Sequence, residues 1–161
     1  MKRKIISSLL LIFLILIPIN AFASGVNNIG EKKQAILTSK NKMVTIKGNL
    51  QNEKEILKQI SKKNKLAKSL LKTKKNGNDL TTDQKQAILS MVKEIQQQVG
   101  KVKLPVSDIK ILWNKAKANN KIRSYKELAE NLNDIIELQQ KKLDYLNKIN
   151  QDFDDLIKEI A

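Results

Sequence analysis

The apolar positions from Leu50 onward recur at helical spacing. Between Leu50 and Lys75 one seam advances by alternating steps of three and four residues, as in a helix packed against a neighbour. Its members are Leu57, Ile60, Asn64, Ala67 and Leu71. A second run, from Thr82 to Val99, repeats the pattern with Ile88, Met91, Val92, Ile95 and Val99. Asn76-Gly77 and Gly100 are typical helix ends, so two helices are predicted here.

Pro105, within "KLPVSD", predicts a further break in the chain. Ser107 can cap a shorter third helix that bears Ile109, Leu112, Trp113 and Ala116. The stretch "NNK" at 119–121 is a weaker break. The chain from 82 to 121 is therefore predicted to form two helices.

The last helix has the clearest pattern. Ser124 and Glu127 match the S-x-x-E capping box at its start. One a/d frame then runs to the end of the chain through Ala129, Leu132, Ile136, Gln139, Leu143, Leu146, Asn150, Phe153, Ile157 and Ile160. At 1.5 Å per residue this helix would be roughly 55 Å long. A seam so apolar must face other helices or a second copy of the chain.

These patterns predict an all-α protein, an extended bundle or hairpin of about four helices with a long amphipathic, coiled-coil-like C-terminal helix. Residues 50–161 form the predicted helical domain. Residues 24–49 are less legible, because "EKKQAIL" favours a helix whereas "KMVTIKG" carries β-branched residues before Gly48. The sequence leaves open whether this arm is ordered.

Residues 1–23 have the pattern of a secretory signal peptide. Lys2, Arg3 and Lys4 precede an apolar run from Ile5 to Ile19, and Ala21-Phe22-Ala23 matches the A-x-A cleavage site. The run is short for a membrane span, although an uncleaved anchor is the alternative. Cleavage between Ala23 and Ser24 would give an extracytoplasmic protein, either secreted, periplasmic or associated with the cell wall.

Composition removes most of the groups that enzymes use. The chain has no cysteine and no histidine, so thiol catalysis, thiolate metal sites and imidazole acid–base chemistry are excluded. We therefore expect a non-enzymatic protein without a cofactor or metal site.

Charge is distributed unevenly along the chain. Residues 24–79 hold 14 lysines and four acidic residues, whereas residues 125–161 hold five lysines and nine acidic residues. Six lysines of the first long helix fall within an arc of about 120° on the side away from its apolar seam. We call them the lysine stripe: Lys54, Lys58, Lys62, Lys65, Lys68 and Lys72. Such a stripe is either the solvated face of a bundle helix or a surface for anionic polymers or membranes. Nucleic acid is disfavoured, because the segment lacks arginines and stacking aromatic residues.

Asn64 and Asn150 occupy core-type positions in otherwise apolar seams. Paired asparagines at such positions can fix the register of a homo-oligomer, whereas at a bundle edge they contact water. The candidate oligomer seam consists of Leu143, Leu146, Asn150, Phe153 and Ile157.

The stretch "LTTDQKQAI" carries one further signal. Thr81 and Gln84 match a T-x-x-Q capping box, which explains both residues but accounts only weakly for Leu80. The stretch also resembles the L-T-x-x-Q element of the Spy/CpxP group of periplasmic helical proteins, with Leu80, Thr81 and Gln84 as the matching positions. A second such element is missing, since the later helix start reads "RSYKELAENL". The resemblance implies an ATP-independent chaperone or envelope-stress modulator whose long helices form a cradle-shaped dimer around unfolded clients.

Three functions are thus expected from the sequence, none of them enzymatic. The first is an extracytoplasmic binding protein for unfolded or other envelope proteins. The second is a structural coiled-coil homo-oligomer, and the third is a binder of anionic envelope polymers or membrane surfaces.

Overall fold

The computed structural model describes residues 29–77 and 79–161, which form three long helices. Helix α1 spans Ile29–Gly77, α2 spans Thr82–Lys121 and α3 spans Tyr125–Ile160. The all-α prediction is confirmed, but the prediction of about four helices is wrong. The predicted signal peptide and cleavage site lie outside the described residues. None of these three helices has a stretch long and apolar enough to cross a membrane.

Helix α2 continues without a break through both residues at which the sequence predicted a helix end. Gly100 and Pro105 both lie inside it, and Ser107 donates to the carbonyl of Leu104 within the helix instead of capping a new one. The reason is an apolar row at seven-residue steps, whose members are Ile88, Ile95, Val102, Ile109 and Ala116. Burying each large side chain of such a row contributes about 1.5–3 kcal/mol. Together they outweigh the cost of an internal glycine and proline, about 1 and 3 kcal/mol.

Helix α1 begins well before the predicted helical domain. Residues 29–49, which the sequence left open, continue the helix without a break. Ile46, the last residue of the β-branched run, is buried, and so is Ser39, whose hydroxyl donates to the Ala35 carbonyl 2.9 Å away. Packing of these positions overrides the local preference for extended structure.

Helix α3 lies at the centre of the molecule. It packs closely against both α1 and α2, whereas no Cα atom of α1 in the described chain comes within 8 Å of one in α2. Two rows of α3 at seven-residue steps are therefore buried: Tyr125, Leu132, Gln139, Leu146, Phe153 and Ile160 in one, and Leu128, Ile135, Lys142, Ile149 and Leu156 in the other. The sequence found most of the first row and missed the second.

Helices α1 and α3 run parallel in a constant register. Five hydrogen bonds between their side chains join residues 89 to 91 positions apart. The first joins Lys42 to Asn133 and the last joins Lys63 to Asp154, so the register holds along most of α1. Because α2 returns between them in the chain, it runs antiparallel to both.

A polar layer divides the core into two apolar clusters. Lys142 Nζ lies 2.6 Å from the Glu53 carboxylate, and Asn49 donates to Gln139 over 3.2 Å. Gln139 and Lys142 are both buried. On the N-terminal side of α3 the core contains Ile46, Leu132 and Ile135, and on the C-terminal side it contains Ile56, Phe153 and Ile160 among others. Since a buried charge is costly unless paired, this layer favours the one register that joins Glu53 to Lys142.

The turn between α2 and α3 is a Schellman motif closed by an arginine. Ser124 N donates to Asn119 O and Arg123 N to Asn120 O, at 2.9 and 3.2 Å. Arg123 has a φ of 60°, in the left-handed region. Glycine is preferred at this position because a Cβ atom makes the left-handed conformation costly.

We expect Arg123→Gly to raise the free energy of unfolding by about 1 kcal/mol, because it removes the cost of the left-handed conformation. Chemical denaturation monitored by circular dichroism measures the change. Lys121→Gly, one residue inside the helix, is the control and should instead destabilise by about 1 kcal/mol. Destabilisation by both variants would contradict this account of the turn.

Candidate functional site

The lysine stripe lies on the outer face of α1. All six of its side chains are exposed, because the opposite side of the helix packs against α3. None of the six forms an ion pair with the described residues. From Lys54 to Lys72 the stripe is about 27 Å long at 1.5 Å per residue.

The acidic residues of α1 hardly neutralise this face. Helix α1 contains 14 lysines but only Glu31, Glu53 and Glu55. Glu31 lies in the first turn, and Glu53 is directed inward to Lys142. Glu55 accepts a hydrogen bond from Gln51 and is the last acidic residue of the helix. The surface from residue 56 to residue 77 is therefore uniformly basic, a charge density that attracts anionic partners over several ångströms.

The acidic residues of α3 are largely directed elsewhere. Lys63 of α1 pairs with one of them, Asp154, at 2.6 Å, and it also donates to the Asn150 carbonyl at 3.0 Å. Along the exposed side of α3, Glu127, Glu130, Asp134 and Glu137 form a separate acidic face. The molecule thus has a basic face and an acidic face on different helices.

Two pKa shifts are resolved on the surface of α3. The Ser124 hydroxyl donates to the Glu127 carboxylate and lowers the pKa of that carboxyl. The predicted capping box of Ser124 and Glu127 is wrong, because Ser124 makes no side-chain bond to the backbone and its own N–H donates to Asn119 O. The Asp152 carboxylate, 2.7 Å from Lys148, raises the pKa of that lysine. Each shift favours the charged form of its group, which is the form already present at neutral pH. Neither group is therefore suited to act as an acid or a base in catalysis.

The "LTTDQ" stretch has a complete structural explanation. Gln84 N donates to Thr81 Oγ1 over 3.2 Å, and Thr81 N donates to Gln84 Oε1 over 3.1 Å. The predicted capping box is therefore present. Leu80, which the sequence explained only weakly, packs against the C-terminal apolar cluster. All three residues that match L-T-x-x-Q therefore stabilise the start of α2.

The candidate oligomer seam is largely covered within the chain. Leu143, Leu146 and Phe153 are buried in the C-terminal cluster, and Ile157 packs against it. Asn150 is half-buried at the edge of the α1–α3 interface, where its amide donates to Gln59 over 2.9 Å. Asn64 is half-buried on α1. The seam contributes to folding of the monomer, and oligomerisation through it stays a prediction.

The chain matches no family model, no curated protein and no solved structure. These comparisons leave the resemblance to the Spy/CpxP group as a prediction. The described residues also contain no group of three or more acidic side chains placed to hold a metal ion.

The pairing of Glu53 with Lys142 was not predicted from the sequence, although it removes one carboxylate from the surface of α1. The signal was present in the row Leu128, Ile135, Lys142, Ile149 and Leu156, where one lysine interrupts an aliphatic repeat. A lysine in such a row requires an acidic partner on the facing helix.

Proposed function

We propose that this protein is a non-enzymatic, extracytoplasmic binding protein that holds an anionic partner along the lysine stripe of α1. The observation that carries the proposal is the set of six exposed lysines on the outer face of α1, none of which is ion-paired with any described residue. A surface lysine with no role in the fold or the ion pairs is available to a ligand.

The arrangement favours a linear polymer over insertion into a lipid bilayer. Amphipathic helices that enter a bilayer use their apolar face to do so. In α1 that face is occupied by α3, and the lysines project from the opposite side. The stripe presents charges at steps of three or four residues, about 4.5–6 Å along the axis. An extended polyanion can follow it for the whole length.

Binding to inorganic polyphosphate, measured by calorimetry at several salt concentrations, tests the proposal. Replacing all six lysines of the stripe with glutamine should weaken binding at least tenfold and reduce its salt dependence, because fewer counterions are then displaced. The matched control replaces six exposed lysines of α2 with glutamine: Lys85, Lys93, Lys101, Lys103, Lys110 and Lys115. This control changes the net charge equally and should reduce affinity less than threefold. Equal losses in both variants would show that only net charge matters and would contradict a site on α1.

An ATP-independent chaperone is the second candidate, favoured by aliphatic side chains exposed on the same helix. Leu66 lies beside Lys65 and is 49% exposed, and Leu37 and Val44 are exposed nearer the start of α1. Adjacent basic and apolar groups can bind an unfolded client protein that is rich in acidic residues. Protection of such a client from aggregation, in the absence of polyphosphate binding, would make this the better proposal.

A further inference from the structure

The outer face of α2 carries an uncharged stripe that the fold does not use. It follows steps of three and four residues on the side opposite the buried row of Ile88 to Ala116. We call it the α2 stripe: Gln97, Gly100, Leu104, Ser107, Ile111, Asn114 and Ala118, all exposed. Leu104 is 68% exposed and Ile111 is 53% exposed. The stripe extends over about 32 Å.

This spacing is that of a coiled-coil seam. Residues that alternate by three and four present one continuous strip to a partner helix, with large aliphatic residues as knobs and small residues that allow close approach. Helix α2 already uses such a strip on its inner side. The α2 stripe is a second strip on the same helix, and no residue in the described ranges 29–77 and 79–161 covers it.

Lysines flank the α2 stripe on both sides. Lys103 and Lys110 lie along one edge, and Lys101 and Lys115 lie along the other, all four exposed. Asp108, also exposed, lies between Lys101 and Lys115 on the second edge, so the two edges together carry four lysines and one aspartate. In coiled coils the residues that flank the seam select the partner by charge. These edges therefore favour a helix with acidic flanks.

The three described helices of a second copy of this chain do not supply such a partner. Two α2 stripes facing each other would bring lysine edges together, which repel. The acidic face of α3 has charged residues at Glu127, Glu130, Asp134 and Glu137, where a seam would need aliphatic ones. The outer face of α1 carries the lysine stripe and would also be repelled, so none of the three helices of a second copy can cover Leu104 and Ile111 favourably.

We infer that the α2 stripe is a docking surface for an amphipathic helix of another protein, with an aliphatic seam flanked by glutamate or aspartate. The inserted side chains would cover Leu104 and Ile111, and the acidic flanks would pair with the four lysines. This site is distinct from the lysine stripe of α1 and does not depend on the function proposed for it.

The test uses a labelled 21-residue helical peptide with leucine and isoleucine in its seam and glutamate on its flanks. Fluorescence anisotropy with the full chain should show saturable binding, and a peptide with lysine flanks should not bind. The variant Leu104→Asp/Ile111→Asp should weaken binding at least tenfold. Leu89→Asp changes an equally exposed leucine, 69% exposed, that lies eight residues before the first residue of the α2 stripe and beyond the reach of the peptide, and should leave affinity within twofold of wild type.

Further variants separate this surface from the other possible sites. Ser107→Arg fills the middle of the α2 stripe with a large charged group, keeps an exposed helical position and should also weaken binding at least tenfold. Glutamine at the six positions of the lysine stripe should change affinity less than threefold. Binding that survives Leu104→Asp/Ile111→Asp, or that is lost only with the α1 variant, would overturn the inference. So would a dimer in sedimentation that the Leu104→Asp/Ile111→Asp variant converts to a monomer, because the occupant would then be a second copy.

Discussion

Replacing Lys142 with methionine should lower the free energy of unfolding by about 3–5 kcal/mol, the largest effect we expect from a single substitution. The Lys142 and Glu53 side chains are only 9% and 16% exposed, and their charged atoms lie 2.6 Å apart. Without its partner the Glu53 carboxylate stays between two helices where water reaches it poorly. Removal of one member of such a pair leaves an uncompensated charge, which is far more costly than removal of both.

Urea denaturation followed by circular dichroism measures this loss. Lys158→Met is the matched control, since Lys158 faces Asp155 across 3.4 Å in an exposed pair, and such pairs contribute little. The double variant Glu53→Leu/Lys142→Met should regain wild-type stability or exceed it, because an apolar pair of similar volume needs no desolvation. If Lys142→Met remains within 1 kcal/mol of wild type, the polar layer does not act as described.

The second large loss is expected at Ile135, which is fully buried at 0% exposure in the N-terminal cluster. Ile135→Ala should lower the free energy of unfolding by about 2–5 kcal/mol, because it removes buried methyl groups and leaves a cavity between helices that cannot close fully. The same denaturation experiment reports it. Ile111→Ala, the same change at an exposed position of α2, should stay within about 0.5 kcal/mol of wild type. Similar losses at both positions would contradict the assignment of Ile135 to the core.

The sequence alone predicted the helical class and the first turn of α2, because both depend on local patterns. Heptad spacing in α3 and the box of Thr81 and Gln84 need only neighbouring residues. The predicted helix breaks at Gly100 and Pro105 were wrong because they rest only on the low helix propensity of these two residues. The row from Ile88 to Ala116 is stabilised instead by packing against a helix that is distant in sequence. Tertiary burial of this kind routinely overrides propensity.

The candidate sites likewise divide into those that a local pattern can predict and those that depend on tertiary packing. The lysine stripe could be predicted from helical spacing, because the composition of an exposed face does not depend on which helices pack nearby. The apolar positions of α3 could not be assigned to a second copy or to the chain itself, because both uses produce the same pattern. The second buried row, from Leu128 to Leu156, shows that α3 contacts two helices. Only the arrangement of all three helices reveals which surfaces remain for a partner.

The central position of α3 has a consequence for how the chain acquires its fold. Helix α3 follows the other two in the chain, yet it supplies most of the buried side chains of both clusters. A nascent chain that ends at Lys121 has α1 and α2 without the helix that joins them, and isolated helices are marginally stable in water. Pairing of α1 with α3 must also close a loop of about 90 residues, which slows folding. Stable packing of α1 and α2 must therefore wait until α3 has been synthesised.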